Sequence, residues 1–269
     1  LKDSSNLPGR LGNPEMSLKN DPRAIPSVTK VMSEYGLDAL APDPPISIEA
    51  TQNEKVDYMT SLEPLYEDIF KSWYSELPEV EGLERFTKVI DGVDGNQIIL
   101  YVHKPEGLES KVPGILHIHG GGMSILKAKN PNYVRWRDDL ASTGLVVVGV
   151  EFRNVAGELG SYPFPAGLND CSSALQWMFD NKEELDVSKI IVSGESGGGN
   201  LTLATTLKAK KDEKLFQIDG VYAQCPYISN EYHSSINYLP SLVENNGYFL
   251  NVKDMAVMAS AYDGIESKN

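Results

Sequence analysis

The sequence offers one arrangement well suited to covalent chemistry, Gly194-Glu195-Ser196-Gly197-Gly198. A G-x-S-x-G run lets a strand turn sharply into a helix, because residues at so tight a bend collide unless they lack a Cβ, and it leaves the serine hydroxyl at the apex. A helix that begins there adds unpaired backbone N–H groups and the positive end of its dipole, both of which favour negative charge. An oxyanion would be stabilised at such a place. A five-residue pattern with two free positions also arises by chance, and a phosphate-cradling loop is the rival use of its glycines. Against the rival, no Gly-Lys-Ser/Thr ending follows, and Asn200 stands where a lysine would be sought.

A second run, His119-Gly120-Gly121-Gly122-Met123, lies well upstream. Three consecutive glycines cost chain entropy, and a loop whose N–H groups must approach a ligand closely gives them a reason. Acyl transfer places a full negative charge on the former carbonyl oxygen, and each preorganised donor lost there costs about 2.7–4 kcal/mol. The amides of Gly121, Gly122 and Gly197 are the expected donor set, with Ser196 as nucleophile. His119 is read as support for the loop, together with Gly120, rather than as a proton carrier. Met123 and Tyr227 follow the glycine loop and a strand's carboxyl end, and with Glu195 beside the serine they are the expected lining of a substrate pocket. Glu195 is either a carboxylate that tunes the turn or a plain surface acid.

These residues need a frame. Short β-branched runs at Val112–Ile118, Leu145–Phe152, Lys189–Ser193 and Ile218–Cys225 read as strands covered on both faces. Stretches of helical period lie between them, at Tyr133–Ser142, Ala166–Asn181 and Gly198–Lys211. Strands alternating with helices predict a mostly parallel sheet with right-handed crossovers, and a ligand site at the carboxyl ends of its strands. Ahead of them, Phe86–Ile90 and Gln97–Val102 flank Asp-Gly turn signals and predict an antiparallel hairpin. A helix is expected at Val252–Tyr262.

Residues 1–80 have another texture, with 14 acids against 7 bases and seven of the sixteen prolines between Pro8 and Pro45. That spacing predicts an extended arm, a short helix at Ile25–Tyr35 and a loop through Ala41–Pro45. Apolar residues three and four apart over Glu54–Leu77 then predict an amphipathic helix, a helical cover. The expected organisation is an arm and cap over 1–80 and a core over 81–269, with 227–250 contributing to the cap.

The 269 residues carry a net charge of −14, with 41% apolar and 23% charged residues. That composition suits a globular chain and excludes fibre, collagen and disordered classes. The acidic balance argues against nucleic acid, since a polyanion must be met by clustered Lys and Arg. Cys171 and Cys225 make no disulfide framework or metal pattern. Both are expected to be small buried thiols, and Trp136 and Trp177 to be core or sheet-covering residues. A reducing compartment follows as the default, with the cytoplasm the expected location. No apolar run approaches the roughly 18 residues of a membrane span. The chain starts at Leu1 and stops in a polar run, so a fragment of a longer protein is expected.

With His119-Gly120-Gly121-Gly122 and Gly194-Glu195-Ser196-Gly197-Gly198 together, the sequence resembles the hormone-sensitive-lipase-like branch of the α/β-hydrolases, which are carboxylesterases and lipases. The likeness to bacterial esterases of that branch extends through Gly9-Arg10-Leu11-Gly12, Tyr35-Gly36-Leu37-Asp38-Ala39, Val93-Asp94-Gly95-Asn96, Phe152-Arg153-Asn154, Pro163-Phe164-Pro165, Asp170-Cys171 and Pro240-Ser241-Leu242-Val243-Glu244-Asn245. The resemblance implies an α/β-hydrolase fold with a cap, hydrolysis of a small-molecule ester through an acyl-enzyme, and no metal or organic cofactor. It also implies that Ser196 is the nucleophile and that Gly121, Gly122 and Gly197 are the oxyanion donors.

Such a serine needs a base and a carboxylate to orient it, in the chain order Ser, Asp or Glu, His. Only His233 follows Ser196. Asp212 sits in a solvated charge cluster and Asp219 opens a strand at the end remote from the site, so neither suits a triad, and His233 falls in a polar loop. The family places its acid and base after later strands, hence the expectation of a longer form. Two other readings stay open. One is a hydrolase-fold protein that binds a small molecule without catalysis, and the other is an amidase or lactonase. Whether two copies pair as a homodimer is also open.

Overall fold

The computed structural model describes residue 13 and residues 15–231 and 239–264. Among these residues six strands make one sheet: β1 (Leu83–Asp91), β2 (Gln97–Pro105), β3 (Val112–Ile118), β4 (Val146–Glu151), β5 (Val187–Glu195) and β6 (Gly220–Gln224), in the spatial order β1-β2-β4-β3-β5-β6. The Asp-Gly turn closes β1 and β2 into an antiparallel hairpin, β2 meets β4 antiparallel, and the other pairings are parallel. The sheet is thus mostly parallel, with the hairpin at one end.

Burial explains why these runs are strands. Leu116, Ile118, Val146, Val147, Val148, Val150, Ile190 and Val192 are all buried in the centre of the sheet, as β-branched runs covered on both faces require. α3 (Pro131–Ser142) links β3 to β4 and α4 (Ala166–Asp180) links β4 to β5. Because β4 and β5 lie on opposite sides of β3, two right-handed crossovers place these helices on opposite faces of the sheet. α5 (Gly197–Lys211) leads from β5 to β6. The winding therefore changes direction beside β3 and β5, and the carboxyl ends of these strands are where this architecture places a ligand site.

Three expectations are corrected. β6 is shorter than Ile218–Cys225, because Leu215–Gln217 forms a 3-10 corner before it and Cys225 turns out of it at φ 35°. As the outermost strand among the described residues it is largely exposed, and so is Cys225. Trp136 is 39% exposed because α3 buries the stripe Tyr133, Arg137, Asp138 and Ala141, which Trp136 misses. Cys171 is buried, as expected.

The described residues divide into two compact units, one of Val56–Ile228 with Ala261–Gly264 and the other of the described residues up to Lys55 with those between Ser229 and Ser260. The first holds the sheet and nearly all of α2 (Gln52–Tyr74). In the second, α1 (Pro26–Ser33) follows a 3-10 turn at Leu18–Asn20. Leu40 bridges to Tyr248, whose hydroxyl donates to Asp21 at 2.9 Å, and buried Lys55 donates to Ser260 Oγ at 2.7 Å. Helices also occupy Pro240–Asn245 and Val252–Asp263. No helix among the described residues is long and apolar enough to cross a membrane.

Candidate active site

Parallel pairing of β3 with β5 sets Ile118 beside Gly194, so the two glycine-rich segments leave the sheet side by side. Ser196 sits between β5 and α5 at φ 54°, ψ −117°. A non-glycine residue in that region carries roughly 1–3 kcal/mol of strain and stays there only when its surroundings hold it. Here the Ser196 N–H donates to Gln224 O at 3.0 Å, and the Ser196 carbonyl accepts from Tyr227 N at 2.9 Å and Asn200 N at 3.0 Å. Asn200 Nδ2 donates to Tyr227 O at 2.7 Å, tying buried Tyr227 to the start of the helix.

The glycines are there for close approach. A Cβ on Gly197 would lie 2.7 Å from Gly122 N and 2.6 Å from Met123 N, and one on Gly198 would run into the Ile118 and His119 carbonyls. The turn after β5 therefore rests directly on the backbone of the loop after β3. That loop curls into one tight hydrogen-bonded turn, with Ser124 N and Ile125 N donating to Gly121 O at 3.0 and 3.1 Å. Gly121 and Gly122 have φ 100° and 64°. Among the described residues, no acceptor takes the N–H of Gly121, Gly122 or Met123. Met123 is buried.

His119 Nδ1 donates to Gly120 O at 2.8 Å, and its ring stacks on Phe152 with centroids 4.2 Å apart. Burial holds this imidazole neutral, its pKa down to about 3. Glu195 turns toward the loop: Oε1 accepts Gly120 N at 3.0 Å, and Oε2 lies 3.0 Å from His117 Nε2. Burial alone would raise the Glu195 carboxyl, but His117 and the Gly120 N–H outweigh it and hold it below the usual carboxylate range. Behind the loop, Glu151 accepts from Ala128 N at 2.7 Å and is raised by burial.

The structure thus brings Ser196, Gly197, Glu195 and Tyr227 together with His119, Gly120, Gly121, Gly122 and Met123. Among the described residues, the histidines it holds are each engaged elsewhere. His103 faces Asp138 at 2.7 Å and Arg137 at 3.0 Å, His117 faces Glu195, and His119 is held as above. Asp212 pairs with Lys208 at 2.7 Å and Asp219 accepts from Ile190 N at 2.9 Å, both away from the serine turn. His233 lies outside the described residues. Among the described residues, no group of three or more His, Cys, Asp or Glu side chains could hold a metal ion.

Reading motifs misses the outer support of this loop. Three α2 side chains, Thr60, Glu63 and Glu67, reach the segments 126–130 and 157–158. A pair of acids four apart within an apolar stripe was the available signal, since solvated acids belong on the opposite face.

A family model for the alpha/beta hydrolase fold matches residues 115–268. The chain is 32% identical over 151 residues to tuliposide A-converting enzyme 2, chloroplastic, of Tulipa gesneriana, covering 52% of this chain and 37% of that protein. It is 35% identical over 129 residues to carboxylesterase NlhH of Mycobacterium tuberculosis, covering 47% and 38%. The chain thus spans less than half the length of these curated relatives. Among solved structures, brefeldin A esterase, a bacterial homologue of human hormone sensitive lipase, superposes with a TM-score of 0.90 at 42% identity, over 96% of this chain and 73% of that one. Esterase Est22 superposes with a TM-score of 0.78 at 31% identity, over 91% and 72%.

Proposed function

From the premise that the chain belongs to the α/β-hydrolase fold family, we propose that it is the nucleophile-bearing part of a serine carboxylesterase acting on small-molecule esters. The observation that carries this reading is the close contact between the strained Ser196 turn and the amides of Gly122 and Met123. Oxyanion stabilisation requires donors at the point where charge develops, held there before the reaction begins.

In this reading Ser196 Oγ attacks the ester carbonyl and gives up its proton to a base outside the described residues. The carbonyl oxygen becomes an oxyanion held by the N–H groups of Gly121, Gly122 and Gly197. Collapse expels the alcohol with a proton and leaves an acyl-enzyme, and water then releases the acid. His119 and Gly120 keep the loop in shape, and Glu195 ties the Gly120 amide to the serine turn. Met123 and Tyr227 line the pocket. The names of the esterase relatives favour an ester over an amide. Residues 1–80, with 227–250, make the arm and cap in this reading, and 81–269 the core.

The test is covalent. The protein translated from its complete reading frame should label with a fluorophosphonate probe and hydrolyse p-nitrophenyl acetate, and Ser196→Ala should abolish both. Equal labelling of the alanine variant would refute the assignment.

A further inference from the structure

The oxyanion loop is held from outside by a helix that carries none of the sequence motifs. Glu63 of α2 is buried, and its carboxylate takes two backbone donors: Leu126 N to Oε1 and Glu158 N to Oε2, each at 2.7 Å. No cation pairs with it among the described residues; buried Lys127 pairs instead with Glu67 and Glu158. An apolar side chain could fill this volume without the desolvation cost of a buried carboxylate. What the carboxylate supplies is direction, two N–H groups held at once.

Those N–H groups belong to strained and functional backbone. Leu126 has φ 76° and Met123 φ 58°, left-handed conformations that a non-glycine residue keeps only under restraint. Leu126 ends the single turn that begins at Gly121, and the amides of Gly122 and Met123 in that turn face Gly197. The segment carrying Glu158 grips the same turn from its other side, with Val155 N donating to Met123 O at 3.1 Å and Ala156 N to Ser124 O at 2.9 Å. Thr60, one helical turn before Glu63, accepts from Gly157 N at 3.0 Å.

We propose that Glu63 is a positioning residue for the oxyanion loop: by holding Leu126 and Glu158 together it sets where the oxyanion-donating amides of Gly121 and Gly122 stand relative to Ser196. The proposal rests on the serine-esterase reading. Glu63 touches no substrate, so its effect falls on the transition state, where an amide displaced by a fraction of an ångström loses its charge stabilisation.

Glu63→Gln keeps the shape but turns an NH2 group against one of the two N–H donors. In the complete gene product, this variant should lower kcat on a p-nitrophenyl ester by roughly ten- to a hundredfold with KM within about twofold. It should weaken a trifluoromethyl ketone, which forms an oxyanion adduct with the serine, by the same factor. Amide hydrogen exchange over 121–126 should also quicken. Thr60→Val, which removes the neighbouring anchor and keeps the volume, should move all three readouts in the same direction by a smaller factor. If both variants lose melting temperature but keep kcat and ketone affinity, Glu63 is merely structural and the proposal falls. Exchange over 121–126 that ignores Glu63→Gln would overturn the anchor itself. A parent protein that takes no fluorophosphonate would instead overturn the esterase reading.

Discussion

Ser196 illustrates how much a single residue depends on its neighbours. Its backbone is unfavourable for any residue with a Cβ, and it is kept by three backbone hydrogen bonds and by glycines that allow the loop after β3 to lie against it. Glu195 adds a further tie, joining the Gly120 amide and the His117 ring, whose side chain is fully buried. Glu195→Gln leaves one of these partners without its ionic acceptor, a loss of about 1–3 kcal/mol. The expected outcome is a melting temperature lower by roughly 3–10 °C, seen by scanning fluorimetry, with slower ester turnover. An unchanged melting temperature would return Glu195 to the plain surface acid that the sequence also allowed. Ser196 and the glycines were legible because their types are demanded by local geometry. Glu63 and His117 were not: an acid inside an apolar stripe is only a weak signal against the usual solvated glutamate, and nothing local distinguishes a buried histidine from a solvated one.

At the scale of elements, the boundaries of β3, α3, α4 and α5 fall within a residue or two of the expected ones, because apolar period and turn residues are local signals. The packing between elements was less visible. Gly149 in β4 leaves a gap filled by the Arg137 side chain from α3, and a Cβ there would lie 2.8 Å from Arg137 Nη1. Arg137 is fully buried and its guanidinium lies 5.5 Å from the Tyr101 ring centroid, a placement that its charge, rather than its position on the helix, would have argued against. The contact between the β5–α5 turn and the β3–α3 loop makes a direct prediction. Gly197→Ala forces a methyl group into the Gly122 and Met123 amides, so turnover should fall by at least about a hundredfold, or the protein should fail to accumulate in soluble form. Wild-type activity from soluble Gly197→Ala protein would show that the two segments stand further apart than described.

For the molecule as a whole, the buried titratable groups shape stability against pH. Burial lowers His103 to about 4 and His119 to about 3 from an ordinary value of 6.5. The unfolded chain therefore gains protons below pH 6.5 that the folded chain refuses, and stability falls from there toward pH 4 and 3. Carboxylates held low by partners, Asp94 by Arg153 and Asn169 and Asp43 by Lys253 and Asn251, extend that loss to lower pH. Glu151, raised by burial, works the other way and offsets part of it. On the alkaline side burial raises Cys171 above its ordinary 9.0 and Tyr101 to about 12 from 10.0, so stability declines again above about pH 9. Melting temperatures taken from pH 4 to 10 should describe a dome, and His103→Gln should flatten the limb between pH 6.5 and 4. An unchanged slope in that variant would remove His103 from the account.

The sequence by itself determined the α/β alternation, the hairpin, the glycine turn with its serine and the hydrolase resemblance that the family match bears out. Each of these depends on residues close together in the chain, where backbone sterics and apolar period act. Only the tertiary structure decided that Gly122 and Met123 meet Gly197, that Glu195 points to the loop, and that α2 clamps that loop through Glu63. Those are contacts between segments far apart in sequence, set by strand order and register, and burial is what turns an ordinary glutamate into a restraint.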